Sequence, residues 1–211
     1  YNNGIRNMVL DREEELSSGD MLMIVKNNYF WTEKEKKESG EGSAGAVPAF
    51  LANGDRAKVL RVSNYIELYG FRFATLLLQL PDYDDYEMQV TGMLDTLQSE
   101  APALTHEQQE ELFRQVEEDY QHFVPLKADR MKSIRQDAYF NALQIKYAYA
   151  VTCHKAQGGQ WAHVYVDQGY MTDDMLTPDY IHWLYTAFTR ATDKLFLVNW
   201  PKEQTCEPTD L

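Results

Sequence analysis

Alternating apolar and polar positions in the first part of the chain predict a small antiparallel β-barrel or meander. Apolar side chains recur there in short runs or at every second position, which predicts strands at residues 21–25, 58–62, 65–68 and 71–80. Asn53-Gly54 lies between apolar runs, and both residue types tolerate a positive φ, so we expect a hairpin at this point. Residues 32–46, where Glu and Lys alternate before a Gly- and Ser-rich stretch, are expected to form a flexible loop.

A longer period predicts helices in the middle of the chain. Four apolar residues recur at helical spacing, namely Leu112, Val116, Tyr120 and Phe123. Thr105, followed by Gln108, forms a capping-box pattern at the start of this helix, and Pro125 ends it. We expect a second helix from about residue 128 to residue 141, and a turn leading into a short helix over residues 1–10. Residues 83–99 are ambiguous and fit a strand followed by a helix.

The last part of the chain alternates strands with helical segments, which favours an α/β fold with a parallel sheet. Strands are expected at residues 145–152, 163–167 and 194–199. Thr177 is the expected N-cap of an intervening helix, with Pro178 as its first residue. The apolar face of that helix is expected to consist of Ile181, Leu184, Tyr185 and Phe188. Arg190 falls on the opposite side, together with Trp183 and Thr186.

Length and composition describe an ordinary globular chain. The 211 residues predict one or two domains, and 44% hydrophobic and 25% charged residues are typical of soluble proteins. No apolar run approaches the roughly 18 residues of a membrane span, and we expect no membrane anchor or leader peptide. A first residue other than Met suggests a segment of a longer protein. Two cysteines, Cys153 and Cys206, do not form a disulfide framework, so we expect a cytoplasmic protein.

The net charge of −13 argues against a generic nucleic-acid-binding protein, but the charge is unevenly distributed. Residues 82–120 contain twelve acidic residues and one basic residue, Arg114, and contribute −11. The rest of the chain is nearly neutral, so a local basic groove stays possible. The basic residues Arg130, Lys132 and Arg135 come nearest to a patch. We interpret residues 82–120 as a solvated insert rather than a docking surface.

Thr152–Trp161 contains the densest chemistry in the sequence, between two predicted strands. A polar, Gly-rich loop at the end of a strand is a typical position for a site in an α/β protein. Gly158-Gly159 would let backbone N–H groups approach a phosphate, and Lys155 would supply a charge. An ordinary connecting turn is the alternative. Arg190 is either part of a surface ion pair or an arginine finger aimed at phosphoryl charge.

Metal chemistry fits the sequence poorly. Cys153 stands beside His154, but no further Cys or His follows at the spacing of a zinc site. The aspartates at positions 82, 84 and 85 do not follow the pattern of an EF-hand loop. We therefore expect neither a zinc site nor a calcium site.

Two segments resemble motifs of superfamily 1 DNA helicases. Thr152-Cys-His-Lys-Ala-Gln-Gly158 resembles motif V, in particular the T-x-H-K-x-Q-G signature of the RecD-like and Dda-like branch. Tyr185-Thr-Ala-Phe-Thr-Arg190-Ala resembles motif VI, Y-x-A-x-T-R-A, and the order and separation of about 30 residues also resemble the family. Asn53-Gly54-Asp55 is similar to the N-G-D hairpin of the SH3-like insert in these helicases. Asn3-Gly-Ile-Arg6 loosely resembles motif IV.

The resemblance implies an α/β fold, the second RecA-like motor domain of a P-loop NTPase with UvrD-type motifs. An SH3-like β-barrel subdomain and a helical segment would be inserted in it. Residues 1–19 would begin the motor domain, 20–80 would form the SH3-like subdomain and 81–142 the acidic helical insert. Residues 143–202 would complete the motor domain with motifs V and VI, and 203–211 would be a frayed tail.

The function implied by the resemblance is that of the C-terminal half of an ATP-dependent DNA helicase, in DNA repair or recombination, moving 5′ to 3′. Single-stranded DNA would be held by Thr152, His154, Lys155 and Gln157. The nucleotide would be contacted by Gly158, Gln160, Arg190 and Arg6, and Arg190 would act catalytically as the arginine finger. Gln160 stands where the family has an acidic residue that holds the ribose.

Half of the implied ATP site is missing from the sequence. The chain contains no G-x-x-x-x-G-K-[ST] phosphate loop, and no apolar strand that ends in an Asp-Glu pair. ATP and Mg²⁺ would be bound mainly by an upstream RecA-like motor domain of the same protein. We therefore expect this chain alone neither to hydrolyse ATP nor to unwind DNA. The alternatives are a catalytically silent nucleic-acid-binding or interaction module and an RNA helicase of the same superfamily.

Overall fold

A closed five-stranded β-barrel organises the first part of the computed structural model, which describes residues 1–39 and 47–204. The chain divides into unit 1, Tyr1–Ala150, and unit 2, which begins at Val151. Part of the predicted loop, residues 40–46, and most of the predicted tail, residues 205–211 with Cys206, lie outside the described residues. No helix in the described ranges has the length and apolar character needed to cross a membrane.

The barrel strands are β1 (Met21–Ile24), β2 (Arg56–Leu68), β3 (Phe71–Leu80), β4 (Tyr86–Met93) and β5 (Leu143–Tyr147). Neighbours from β1 to β4 are antiparallel. The barrel closes through β5, which runs parallel to β4 and antiparallel to β1, with Met23 opposite Lys146. The predicted small barrel is therefore present, and it takes in strands at 86–93 and 143–147 in addition to the segment 20–80.

The tight turn of this barrel is Tyr69-Gly70 and not the predicted Asn53-Gly54. Tyr69 and Gly70 both have a positive φ, of 57° and 75°, and they join β2 to β3 with Leu68 opposite Phe71. Two positive φ values match the right-handed twist of paired strands. At Asn53-Gly54 the chain makes a turn, but the segment before it pairs only through an isolated bridge between Leu51 and Asn28. The predicted two-stranded hairpin there is therefore wrong.

The core of unit 1 follows the alternation along β3. Leu76, Leu78 and Leu80 are buried completely on one face of the strand, whereas Phe73 is buried in a second cluster, with Leu112 and Val116. Gly92 on the neighbouring strand β4 lies directly against this core, because a Cβ at that position would be 2.5 Å from the Leu76 Cδ1 atom. The barrel is thus filled by side chains that the period of two had placed on one face.

The helices of unit 1 are α1 (Asn2–Gly4), α2 (Phe30–Ser39), α3 (His106–Gln121) and α4 (Lys127–Arg135), together with a π-helix (Ile5–Val9) and short 3-10 turns at Pro81–Tyr83 and Leu94–Thr96. The predicted capping box at α3 is confirmed, since the Gln108 amide donates to Thr105 Oγ1 at 3.2 Å and the Thr105 amide donates to Gln108 Oε1 at 3.0 Å. Leu112 and Val116 of α3 pack with Ile134 of α4 against Phe73.

Residues 30–39 form a helix, so the predicted loop over 32–39 is wrong. The helix has no repeating apolar stripe that the sequence pattern could reveal. It is fixed at its first turn instead, where Trp31 is buried and its Nε1 donates to the Asn141 carbonyl at 2.9 Å. Thr32 is also buried, and its hydroxyl donates to the Tyr29 and Ala49 carbonyls.

Unit 2 contains two parallel strands, β6 (Trp161–Asp167) and β7 (Ala191–Val198), and the helix α5 (Pro178–Phe188). Short 3-10 turns occupy Cys153–Ala156, Asp173–Met175 and Lys202–Gln204. The third predicted strand of a parallel sheet, near residue 145, is instead β5 of the barrel, where Ile145 and Tyr147 are buried. An apolar run of that length fits either sheet. The described residues therefore show a two-stranded parallel sheet and not a RecA-like one.

Helix α5 begins as predicted, with Thr177 at the N-cap and Pro178 as the first residue. Its predicted apolar face is wrong in part, because Ile181 is 65% and Tyr185 71% exposed. Ala187 is the buried residue of this helix. The helix contacts the Cys153–Ala156 turn and β6, and a sheet of two strands is too narrow to cover its remaining apolar side chains.

Candidate functional site

The loop before β6 presents the predicted DNA-binding side chains from one short turn. The Thr152 carbonyl accepts hydrogen bonds from the Lys155 amide at 2.9 Å and the Ala156 amide at 3.1 Å, which closes the 3-10 turn Cys153–Ala156. Thr152, His154, Lys155 and Gln157 are all exposed. The structure therefore brings these four residues together on the surface of unit 2.

The two glycines of this loop are explained by different constraints. Gly158 has φ of +83°, and a Cβ there would meet no atom within 4 Å, so backbone conformation is what favours glycine. A Cβ at Gly159 would overlap the ring of Trp161, so that ring lies over Gly159. Gly158 and Gln160 are exposed, which leaves the backbone at 158 approachable from solvent.

Arg190 joins the loop to the end of α5. Its Nη1 donates to the Gly159 carbonyl at 3.0 Å, its Nε to the Thr186 carbonyl at 2.9 Å and its Nη2 to Thr189 Oγ1 at 2.9 Å. The Trp161 amide donates to the Arg190 carbonyl at 2.9 Å. The 152–161 loop is thus in direct contact with the segment that resembles motif VI.

The position of Arg190 differs from the helical one predicted. Helix α5 ends at Phe188, Thr189 is its C-cap, and Arg190 lies just beyond it, partly exposed. No ion pair of Arg190 with a carboxylate occurs in the part of the chain that the structure describes. Its hydrogen-bond acceptors are neutral oxygens, so an anion could replace them with a gain in interaction strength.

Cys153 is a partly buried thiol beneath the same loop. Its Sγ donates to the Trp183 carbonyl at 3.6 Å. Burial raises the pKa of the Cys153 thiol, while the positive charge of Arg190 acts in the opposite direction. Over residues 1–39 and 47–204, no group of three or more Cys, His, Asp or Glu side chains has an arrangement that could hold a metal ion.

Arg6, the remaining predicted nucleotide residue, belongs to a buried cluster of unit 1. It is 3% exposed, and its Nε and Nη2 donate to the carboxylate of Asp20 at 3.0 to 3.1 Å. Tyr149 and Arg12 also donate to that carboxylate. Burial would raise the pKa of Asp20, but the hydrogen bonds from Arg6, Tyr149, the Ser17 amide and Arg12 hold it below its ordinary value.

Unit 2 also contains a cavity of about 580 Å³ that no sequence pattern predicted. Its lining includes His154, Gln157, Gln168, Tyr180 and Trp183. The rings of Tyr180 and Trp183 stack with 5.9 Å between centroids and 13° between planes. A single Gln after a strand matches no motif, and only the fold brings it beside the aromatic pair.

Comparison with known protein families finds a similarity in the last part of the chain. Residues 147–198, about a quarter of the chain, match the family model of the UvrD-like helicase C-terminal domain. The matched range contains the 152–161 loop, α5 and Arg190. This similarity supports the predicted superfamily 1 helicase C-terminal domain and indicates a helicase fragment. No curated protein matches the chain.

Proposed function

We propose that this chain is the C-terminal half of an ATP-dependent DNA helicase of the RecD-like or Dda-like type. It binds single-stranded DNA through its 152–161 loop and supplies Arg190 to an ATP site that an upstream RecA-like motor domain completes. The observation that carries the proposal is the 3.0 Å contact of Arg190 Nη1 with the Gly159 carbonyl, inside the range that matches a helicase C-terminal domain. One contact thus links the loop assigned to DNA with the arginine assigned to nucleotide.

On the nucleotide side, Arg190, Gly158 and Gln160 fit a phosphate- and sugar-binding edge. The Arg190 guanidinium has neutral acceptors that phosphate oxygens could replace, and its planar fork suits phosphoryl groups. Gly158 leaves its backbone open to close approach. Gln160 can donate to or accept from a ribose hydroxyl. Bound ATP and Mg²⁺ would supply the phosphoryl-transfer chemistry, with the phosphate loop and metal ligands contributed upstream.

On the DNA side, the exposed turn offers one charge and several neutral hydrogen-bonding groups. Lys155 would contact phosphate, and Thr152, His154 and Gln157 would contact phosphates and sugars. The acidic residues between 82 and 120 all lie in unit 1, so the net charge of the chain does not describe this loop. Movement of Arg190 on the nucleotide would shift Gly159 and Trp161 through their hydrogen bonds, and this would couple hydrolysis to the grip on DNA.

The decisive substitution is Arg190→Ala in the full-length protein. We expect DNA-stimulated ATP hydrolysis to fall by about 10³-fold or more, since loss of an arginine finger has effects of that size. Single-stranded DNA affinity should fall far less, by about threefold at most, because Arg190 affects the strand only through its hydrogen bond to the Gly159 carbonyl. Arg190→Lys keeps the charge without the fork and should stay strongly impaired. Arg114→Ala, on the exposed surface of α3, is the matched control. Unchanged turnover in Arg190→Ala would remove the assignment.

The isolated 211-residue chain tests the half-site directly. We expect no DNA-stimulated ATP turnover from it, because its sequence contains no phosphate loop. Robust turnover by the purified chain, abolished by Arg190→Ala, would show that the chain holds a complete site. Stimulation of the full-length protein by single-stranded DNA but not RNA distinguishes a DNA helicase from an RNA helicase.

A further inference from the structure

Gln168, which lines the cavity of unit 2, has a buried amide oxygen without a hydrogen-bond partner among the described residues. Gln168 is 8% exposed, and its Nε2 donates to Tyr180 Oη at 2.6 Å and to Gln204 Oε1 at 3.1 Å. Both hydrogens of the amide are thereby used. Its Oε1 is buried and has no hydrogen-bond partner among the described residues. A buried acceptor without a donor is unfavourable, so a ligand N–H at this position would be stabilised.

The same cavity is lined by two stacked aromatic rings. Tyr180 and Trp183 stack on each other and both line it. Aromatic side chains of this kind are the usual platforms for nucleobases, since every base has a π-face. The volume of about 580 Å³ lies within the ordinary range of small-ligand sites.

The charge of the lining does not favour a phosphate pocket. No Lys or Arg belongs to the described lining, and the one acidic side chain is that of Asp179. A neutral group with an N–H donor therefore fits better than an anion. His154 and Gln157, which the proposed function places against a DNA strand, line the cavity as well. A strand held at this turn would have its base within reach of the aromatic pair.

We propose that this cavity binds a nucleobase with an exocyclic amino group, which donates to Gln168 Oε1 while the ring stacks with Tyr180 and Trp183. For a base within a bound strand, the inference rests on the proposed function. A free nucleotide would offer the same chemistry. An amide oxygen discriminates between bases because cytosine presents an amino group where uracil presents a carbonyl oxygen. Strand binding by this chain therefore has a base preference.

The test compares fluorescein-labelled dC12 and dU12, whose bases differ in the group at position 4, in anisotropy titrations of the 211-residue chain. We expect dC12 to bind about fivefold more tightly than dU12. The cytosine amino group gains a hydrogen bond to Gln168 Oε1, whereas the uracil carbonyl oxygen is repelled by that atom. Calorimetric titrations with dCMP and dUMP form the second arm. If dCMP also binds more tightly than dUMP, the cavity is assigned to free nucleotides. If only dC12 is preferred over dU12, it is assigned to a strand.

Gln168→Leu removes the acceptor and should bring the dC12 to dU12 affinity ratio to about one. Gln168→Glu retains an acceptor that Tyr180 can still contact. This variant should keep the preference for dC12, although its negative charge lowers the affinity for both oligonucleotides. Because the ratio is the measured quantity, a change in general affinity does not disturb the result. Trp183→Ala should lower the affinity for dC12 and for dU12 to a similar extent, by roughly fivefold or more.

Equal affinities for dC12 and dU12, and for dCMP and dUMP, would overturn the inference. They would indicate that water donates a hydrogen bond to Gln168 Oε1. A cytosine preference that survives in Gln168→Leu would overturn it too. If neither oligonucleotide binds, the strand-binding function is contradicted, and the cavity is then judged by dCMP against dUMP alone. Absence of binding in both arms overturns both proposals.

Discussion

The sheet of unit 1 is closed, whereas the two strands of unit 2 have only each other as partners in the described part of the chain. Unit 1 accordingly contains nearly all of the completely buried apolar side chains, among them Phe73 and Leu76. In unit 2, Val166 and Ala187 are the buried hydrophobic residues that the structure describes. The candidate chemistry lies in the unit with the smaller core. Binding loops belong to the least stable parts of proteins because they must adapt to their ligands.

Two arginines show the same difference at the level of single side chains. Arg6 in unit 1 is 3% exposed and donates to the buried carboxylate of Asp20. Arg190 in unit 2 is partly exposed and donates to neutral oxygens. Resemblance assigned both arginines to a nucleotide. Arg190 can therefore accept an incoming anion, whereas Arg6 is already paired with the carboxylate of Asp20.

The largest expected effect concerns the core of unit 1. Phe73→Ala removes a fully buried ring that packs edge-on against Tyr139, and we expect a loss of about 4 kcal/mol in the free energy of unfolding of unit 1. Tyr185→Ala in unit 2 is the matched control, and it should change stability by less than about 0.5 kcal/mol because this ring is mostly exposed. Hydrogen exchange of β3 and β7 measures the two units separately. Equal losses would mean that unit 2 packs as unit 1 does.

The buried charge cluster gives the next effect. Asp20→Asn leaves Arg6 and Arg12 without their countercharge, and we expect unit 1 to lose about 3 kcal/mol at neutral pH, measured by urea unfolding. Asp129→Asn, at an exposed position of α4, serves as control and should have little effect. A stable Asp20→Asn variant would show that Arg6 can do without this partner, which would make it a better candidate for the nucleotide.

The acid dependence of stability is the smallest of these effects, because burial opposes the hydrogen bonds in setting the pKa of Asp20. A lowered pKa means that the ionised carboxylate stabilises the folded state. This contribution is complete above the ordinary carboxyl pKa of about 4 and is lost as pH falls through the lower folded value. Urea unfolding between neutral pH and pH 3 should show that loss in the wild type. In Asp20→Asn the free energy of unfolding should change less over the same acid range. Identical pH profiles in the variant and the wild type would contradict the lowered pKa of Asp20.

Local signals in the sequence were reliable where one short segment determines the structure. The capping box of Thr105 and Gln108 needs only its own four residues, and β3 needs only its own alternation. The strand at 143–147 was placed in the wrong sheet because its apolar run does not encode its partner. Helix α2 was missed because long-range contacts of Trp31 and Thr32, and not an apolar stripe, fix it.

The candidate site divides in a similar way. Motif-like spacing found the residues of the 152–161 loop and Arg190, which the structure places in contact. Their roles in binding stay predictions. Gln168 and its aromatic neighbours escaped notice, because they are separated in the chain and no spacing rule connects them. The exposed side of α5 could not be foreseen either, since periodicity predicts a face but not the presence of something to cover it.

Closure of the barrel through β1 and β5 has a consequence for synthesis of the chain on the ribosome. Met23 pairs with Lys146, so after its pairing with β2 the first strand must wait until roughly 120 residues beyond it are made before its second partner exists. At ordinary elongation rates this interval is on the order of ten seconds. During it, β1 carries an unpaired edge beside half-formed neighbours, which is the condition under which nascent chains associate wrongly. The segment from 81 to 142, with its acidic helix, is translated in that interval, and a net charge of this kind disfavours association between chains.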